Sequence, residues 1–296
     1  MNDAAMREVV QTEAKPKFRG HEKLNAKGNI QFPESLVREY MRITDAYMKL
    51  VNEVVSKHLP KVKKAIMQEQ ARADDDRDLQ ALVSQVFRDI STELEERAGT
   101  YGLEKKLANL ANLTRKLTIK EWKKVCKATL GIDIMDDYYL GEFYRESLRK
   151  WTEDNVGLIK TIPKDTLTEM QNIVQEGFKT GKTTTSIVKK IQRTYGVEKR
   201  HARLIARDQM AKLNADLTQS QQQDAGVEEY VWSTSGDSRV RDRHRQLNGK
   251  TFRWSDPPVV DERTGRRGHP GQDYQCRCVA LPKFNINTLD LPIAKP

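Results

Sequence analysis

The chain has three cysteines in 296 residues, Cys126, Cys276 and Cys278. The number is odd and too small for a disulfide framework, as expected in a reducing compartment. No apolar run approaches the roughly 20 residues that a membrane-spanning helix needs, and the opening MNDAAMREVV has no apolar signal core. From these absences, neither a membrane-spanning nor a secreted protein is expected. Apolar residues are also sparse, at 37% with 7% aromatics and a mean hydropathy of −0.75. What is abundant is charge: 52 Lys+Arg against 42 Asp+Glu, a formal excess of +10. That excess favours a polyanionic partner without naming one, and the mixing of both signs suits solvated helices equally well.

Residues 1–30 mix charges with Pro16, Gly20 and Gly28, lack a steady apolar period, and read as a flexible arm. From Pro33 the pattern becomes helical. Leu36, Tyr40, Tyr47, Val51 and Val54 share a face, and Pro60 interrupts the run after about 25 residues. Beyond Asp74, Asp75 and Asp76, a second stripe runs through Leu79, Leu82, Val83, Val86, Phe87, Ile90 and Leu94 to Gly99. Leu103, Leu107, Leu110 and Leu117 continue the period, and shorter segments stop at Gly131 and at Trp151. Residues 31–154 are therefore predicted to be a helical region whose apolar stripes cover one another. Further helices are expected through Met170 and Val174, through Ile187 and Ile191 up to Gly196, and from Lys199 along Ala202, Ala206, Met210, Leu213 and Leu217. That last stripe fades into QSQQQDAG. After Gly226 the period changes to two. Val227 to Trp232, Thr251 to Trp254 and Cys278 to Leu281 read as strands, with a short helix over Ser238 to Leu247 and a turn at Asn248-Gly249. The fold class is α+β: a mostly helical N-terminal portion, then a small C-terminal α+β domain with a short antiparallel sheet. Residues 155–225 are helical, 226–282 α+β, and 283–296 a tail.

Three motifs bear on chemistry. GFKTGKTTT imitates a phosphate-binding loop, but only three residues separate Gly177 from Gly181 and a helix precedes it. Gly181 is better read as a helix stop and Thr183 to Thr185 as the cap of the next helix. Between Arg239 and Arg253, six cations, Arg239, Arg241, Arg243, Arg245, Lys250 and Arg253, face a single acid, Asp242. They are candidate DNA-binding residues, each phosphate contact adding about 0.9 to the salt slope; the alternative is that they staple their own loops. Finally, His244, His269, Cys276 and Cys278 form a zinc-type donor set. Alternate residues of a strand send both sulfurs to one side, yet the common zinc spacing is wider than C-x-C, and buried cysteines with hydrogen-bonded histidines need no metal. No cofactor is expected, with zinc as the candidate if there is one. A nuclease-like enzyme with His244 as general base and Arg241 or Arg243 on a phosphate is the catalytic alternative, and a general nucleic-acid-binding protein is a further one.

Four blocks, NVGLIKTIP from Asn155, RLIARDQMAKLN from Arg203, YVWSTSGDSRVRDRHRQLNGKTFRW from Tyr230 and PGQDYQCRC from Pro270, occur in the order of the Mu F-like phage head morphogenesis family, which the second half resembles. The family's motif falls on Trp232, Thr234, Asp237, Arg239, Arg241, His244 and Gly249, and its terminal Cys-Arg-Cys on Cys276, Arg277 and Cys278. Here His269-Pro270 is separated from Cys276 by Gly271 to Gln275, where many members have His-Pro almost directly before it. The resemblance makes 155–296 a head morphogenesis domain behind a variable helical region. It implies a non-enzymatic minor capsid protein of a tailed phage, acting in virion assembly and DNA packaging. Such a protein is assembled in the bacterial cytoplasm and resides in the head interior. Its implied partners are the portal protein, the inner capsid or scaffold and the double-stranded DNA genome, with no membrane.

Overall fold

The structure, a computed structural model, describes residues 4–72 and 76–293. Asp74 and Asp75 lie outside the described residues, as do the side chains of Asp76 and Leu79. The fold is α+β and mostly helical. Helices α1 (Ala4–Phe18), α2 (Glu34–Arg72), α3 (Asp76–Tyr101), α4 (Leu103–Leu130), α5 (Glu142–Lys179) and α6 (Thr184–Asp224) precede a small antiparallel sheet that also takes one early strand. None of these helices is long and apolar enough to cross a membrane.

The helices are longer than their sequence breaks suggest. Pro60 lies inside α2, Pro163 inside α5, and Gly196 within α6. A proline in a helix interior costs about 3 kcal/mol through its missing N–H and ring clash. In α2 the buried stripe continues past it through Val62, Ala65 and Ile66, so packing outweighs the local cost. In α6 Ile187 and Ile191 are buried before Gly196, and Ala202, Ala206 and Met210 after it. The imitation phosphate loop is instead a helix junction. Gly181 takes a φ of +65° after α5, and Thr183 Oγ1 accepts the Ser186 N–H at 3.3 Å ahead of α6.

Two compact units result, and neither follows a division at residue 154. One comprises Arg38–Asn109 and Thr152–Ala206. The apolar stripes of its helical segments are buried, Tyr40 among them, and the Tyr40 hydroxyl donates to Asn155 Oδ1 at 2.8 Å. The other comprises Met1–Val37, Leu110–Trp151 and Arg207–Pro296. Here the N-terminal residues, read from the sequence as an arm, are structured. Val10, Ala14 and Phe18 of α1 are buried four residues apart, and Arg7 Nη2 donates to the Asn287 carbonyl at 2.9 Å. Strand β1 (Lys23–Asn25) pairs with the last strand of the chain.

The sheet has strands β2 (Glu229–Ser233), β3 (Thr251–Arg253) and β6 (Val279–Asn285), in the antiparallel order β1-β6-β2-β3. A hairpin, β4 (Val259–Asp261) with β5 (Arg266–Arg267), forms within the stretch from Pro257 to Gly271, whose prolines and glycines give no strand signal. The predicted tail from 283 is also corrected: β6 runs to Asn285, and Leu289 and Leu291 are fully buried.

The polar run at the end of α6 is likewise core. Gln221 Nε2 donates to Thr118 Oγ1 at 3.1 Å, and Gln222 Nε2 donates to the Ala280 carbonyl of β6 at 2.9 Å. Gln222 is fully buried. Gln222→Ala is expected to cost about 1–3 kcal/mol by leaving that carbonyl without its donor, read as a lower urea midpoint in chemical denaturation.

Candidate functional site

Strand β2 alternates, so Tyr230 and Trp232 face inward and are fully buried. They join Leu247, Trp254, Val260, Cys276, Cys278 and Ala280 in one core, with Phe252 against it. After β2 the chain turns into α7 (Asp242–Leu247), shorter than the helix predicted from Ser238, which leaves Arg239 and Arg241 in extended or turn backbone before it. The turn after α7 is closed by two motif residues. Gly249, at φ +77°, sends its N–H to the Trp232 carbonyl at 2.8 Å. Thr234 donates both its N–H and its hydroxyl to Asn248 Oδ1, at 2.9 and 3.2 Å.

The basic run is largely neutralised within its own domain. Arg239 pairs with Asp237 at 3.4 Å, Arg241 with Asp273 at 3.1 Å, Arg243 with Glu262 at 2.9 Å, Arg245 with Asp242 at 3.3 Å, and Arg253 with Glu229 at 3.6 Å. Lys250 is exposed and has no ion-pair partner among the described residues. Residues 226–296 hold 12 Lys+Arg against 9 Asp+Glu, so most of the +10 excess lies elsewhere. Asp237 does more than hold Arg239. It accepts Arg277 Nη2 through both oxygens at 2.7 and 2.6 Å, and the Arg277 guanidinium holds its carboxyl below the usual carboxylate range. Arg277 therefore points away from its two cysteine neighbours, as alternation requires.

Cys276 and Cys278 point inward, toward His244 of α7. The His244 Nδ1 lies 3.5 Å from the Cys276 Sγ and 3.6 Å from the Cys278 Sγ, and all three residues are buried. On the other side of the ring, His244 Nε2 meets Asp273 Oδ2 at 3.1 Å. The side chain of Asp273 is 2% exposed, and it also takes Arg241 on Oδ2 at 3.1 Å and Arg266 on Oδ1 at 2.6 Å. Its backbone carbonyl accepts the Cys276 N–H at 3.0 Å, which folds the segment before the cysteines into a tight turn. Gln275 in that turn has φ +50° and donates its N–H to Asp208 Oδ1 of α6 at 2.9 Å.

Charge in the cluster follows from burial and pairing. Burial works against a charged His244, but Asp273 and Cys276 more than offset it and push its pKa up to about 9. A hydrogen bond from Cys278, then His244, hold the Cys276 thiol well below its ordinary range, and the same contact with Cys276 pushes Cys278 up. Burial would raise Asp273, yet the bonds from His244 and the Tyr274 N–H and the charges of Arg241 and Arg266 keep it low.

Of the four predicted zinc donors, three converge and His269 does not. Its Nδ1 meets the Tyr230 hydroxyl at 2.8 Å, its ring packs 4.8 Å from that of Trp254, and burial lowers its pKa. As for the general-base alternative, both ring nitrogens of His244 are engaged and the residue is 2% exposed. Sequence reasoning missed Asp273 and Arg266. Asp273 had a signal, being the sole acid between Glu262 and Cys276; Arg266 had none, since only the β4–β5 hairpin brings it over.

Residues 168–281 match the family described as Phage Mu protein F like protein. An uncharacterized protein of Haemophilus influenzae is 34% identical over 161 residues, which cover 54% of this chain and 35% of that protein. The chain thus spans about a third of the length of this relative. No solved structure matches. The segment matched by the Phage Mu protein F like family, 168–281, holds the whole cluster of His244, Asp273, Cys276 and Cys278.

Proposed function

We propose that this protein acts in the morphogenesis of a tailed-phage head, as a non-enzymatic minor head protein bound at the portal and inner shell and facing the packaged DNA. The family match over 168–281 carries this reading. The roles of the motif residues support a structural module. Trp232 fills the core, Thr234 and Gly249 close a turn, Asp237 and Arg277 pair, and Arg241 and His244 meet on Asp273. These are positioning jobs, and none presents a reactive group at the surface. The test is to assemble heads without this protein. Loss of portal incorporation, head yield or DNA retention is expected, and heads normal in all three would overturn the proposal.

DNA contact, in this reading, goes through the exposed cations of the run other than Arg241, which Asp273 holds: Arg239, Arg245, Lys250 and Arg253. With about 0.9 per phosphate neutralised, the slope of log affinity against log salt should be no steeper than about −4. The double variant Lys250→Gln, Arg253→Gln should flatten it by about 2. A slope unchanged by the pair would remove this surface from the DNA reading.

A further inference from the structure

We infer that His244, Cys276 and Cys278 bind one zinc ion, a role distinct from head assembly and independent of it. The argument is geometric. A tetrahedral zinc with Zn–S of about 2.3 Å and Zn–N of about 2.0–2.1 Å sets its nitrogen and sulfur ligands about 3.6 Å apart. The His244 Nδ1 lies 3.5 and 3.6 Å from the two sulfurs. One imidazole N–H cannot point at two sulfurs at once, whereas a cation between the three atoms satisfies all of them. The three ligand atoms lie within 4.8 Å of one another.

The surroundings are those of a metal-bound histidine and thiolates. Asp273 accepts from His244 Nε2, which in the neutral ring places the proton there and leaves the Nδ1 lone pair aimed at the sulfurs. Asp273 is itself held by Arg241 and Arg266, so the ring is oriented by a fixed carboxylate. The Cys278 N–H donates to the Cys276 Sγ at 3.4 Å. The Trp232 indole N–H, buried without an oxygen or nitrogen acceptor, lies against Cys278. Such N–H donors disperse the charge of a bound thiolate. Two thiolates and one imidazole select zinc over the harder cations, and they neutralise its charge. No fourth His, Cys, Asp or Glu joins the cluster among the described residues, so the fourth position belongs to a non-protein donor such as water. The ion ties α7 to the start of β6, which explains why the C-x-C spacing suffices: the third ligand comes from across the core.

The full chain, purified under reducing conditions and without chelator, is expected to carry about one zinc by elemental analysis. Cobalt reconstitution of the same wild-type protein should give a thiolate-to-cobalt charge-transfer band with tetrahedral intensity, a readout that needs no variant to fold. His244→Ala and Cys276→Ser should each lower zinc affinity at least tenfold in chelator competition, while His269→Gln and Cys126→Ser leave it unchanged. Folded wild-type protein that holds less than a tenth of an equivalent after incubation with excess zinc overturns the inference. So does a Cys276–Cys278 disulfide, or zinc retained when His244 and Cys276 are replaced together.

Discussion

Asp273→Ala should destabilise the protein by about 3 kcal/mol, the low end of the roughly 3–5 kcal/mol lost when one partner of a buried ion pair is removed. Asp273 is the one acid that meets His244, Arg241 and Arg266 together. Without it, the 3% exposed His244 side chain loses its Nε2 partner while shielded from bulk solvent. Arg241 and Arg266 are 47% and 39% exposed and can turn into solvent, so they add less and keep the total at the low end. Asp273→Asn, which keeps the shape and an acceptor, should cost less than half as much, and Arg241→Gln no more than about 1 kcal/mol. Urea denaturation of the three variants decides it. An Asp273→Ala protein within 1 kcal/mol of wild type would mean that this carboxylate does not hold the domain together.

Gly226→Ala should be at least as damaging, at about 3–5 kcal/mol or outright failure to fold, from left-handed backbone plus overpacking. Gly226 closes α6. Its own N–H bonds to the Gln223 carbonyl at 3.0 Å and the next N–H, of Val227, to the Gln222 carbonyl at 2.9 Å, a pattern that needs the positive φ of +71° found here. A Cβ at this position would sit 1.8 Å from the Thr288 carbonyl oxygen and 2.8 Å from its carbon, both backbone atoms. Neither can retreat easily, because Thr288 Oγ1 donates to the Gly226 carbonyl at 2.6 Å and the Asp290 N–H to Ala225 at 3.0 Å. Gly236 separates the two causes: its φ is +72°, but nothing lies within 4 Å of its would-be Cβ. Gly236→Ala should therefore cost only about 1–2 kcal/mol. Equal losses at both positions, measured by thermal unfolding, would show that the closeness to Thr288 contributes nothing.

The α6 stripe shows how far periodicity reaches. Ala202, Ala206, Met210, Leu213 and Leu217 share a face by spacing alone, and all five are buried. The same reasoning stopped α6 at Gly196 and let it fade at QSQQQ, because a breaker and a polar run are local signals. Packing on both sides of Gly196 outweighs about 1 kcal/mol of propensity, and buried glutamines are acceptable where carbonyls and hydroxyls await them. The N-terminal residues failed for a related reason. Val10, Ala14 and Phe18 are too few to announce a helix, and β1 has three residues with one half-buried, so both depend on the chain's far end arriving beside them.

Legible along the chain are the order of helices before sheet, the strands around Trp232 and Cys278, and the presence of two histidines and a C-x-C pair within 35 residues of one another (244 to 278). These are matters of side-chain period and local chemistry, which travel with the chain. Which histidine meets the cysteines, and where the arginines go, depends on how distant segments pack. His269 is nearer in sequence to Cys276, yet the loop folds it onto Tyr230 and Trp254, while α7 carries His244 across the core to the sulfurs. Partner choice among buried polar groups is set by desolvation, which rewards whichever donor and acceptor the packing brings within 3 Å or so and ignores their separation along the chain.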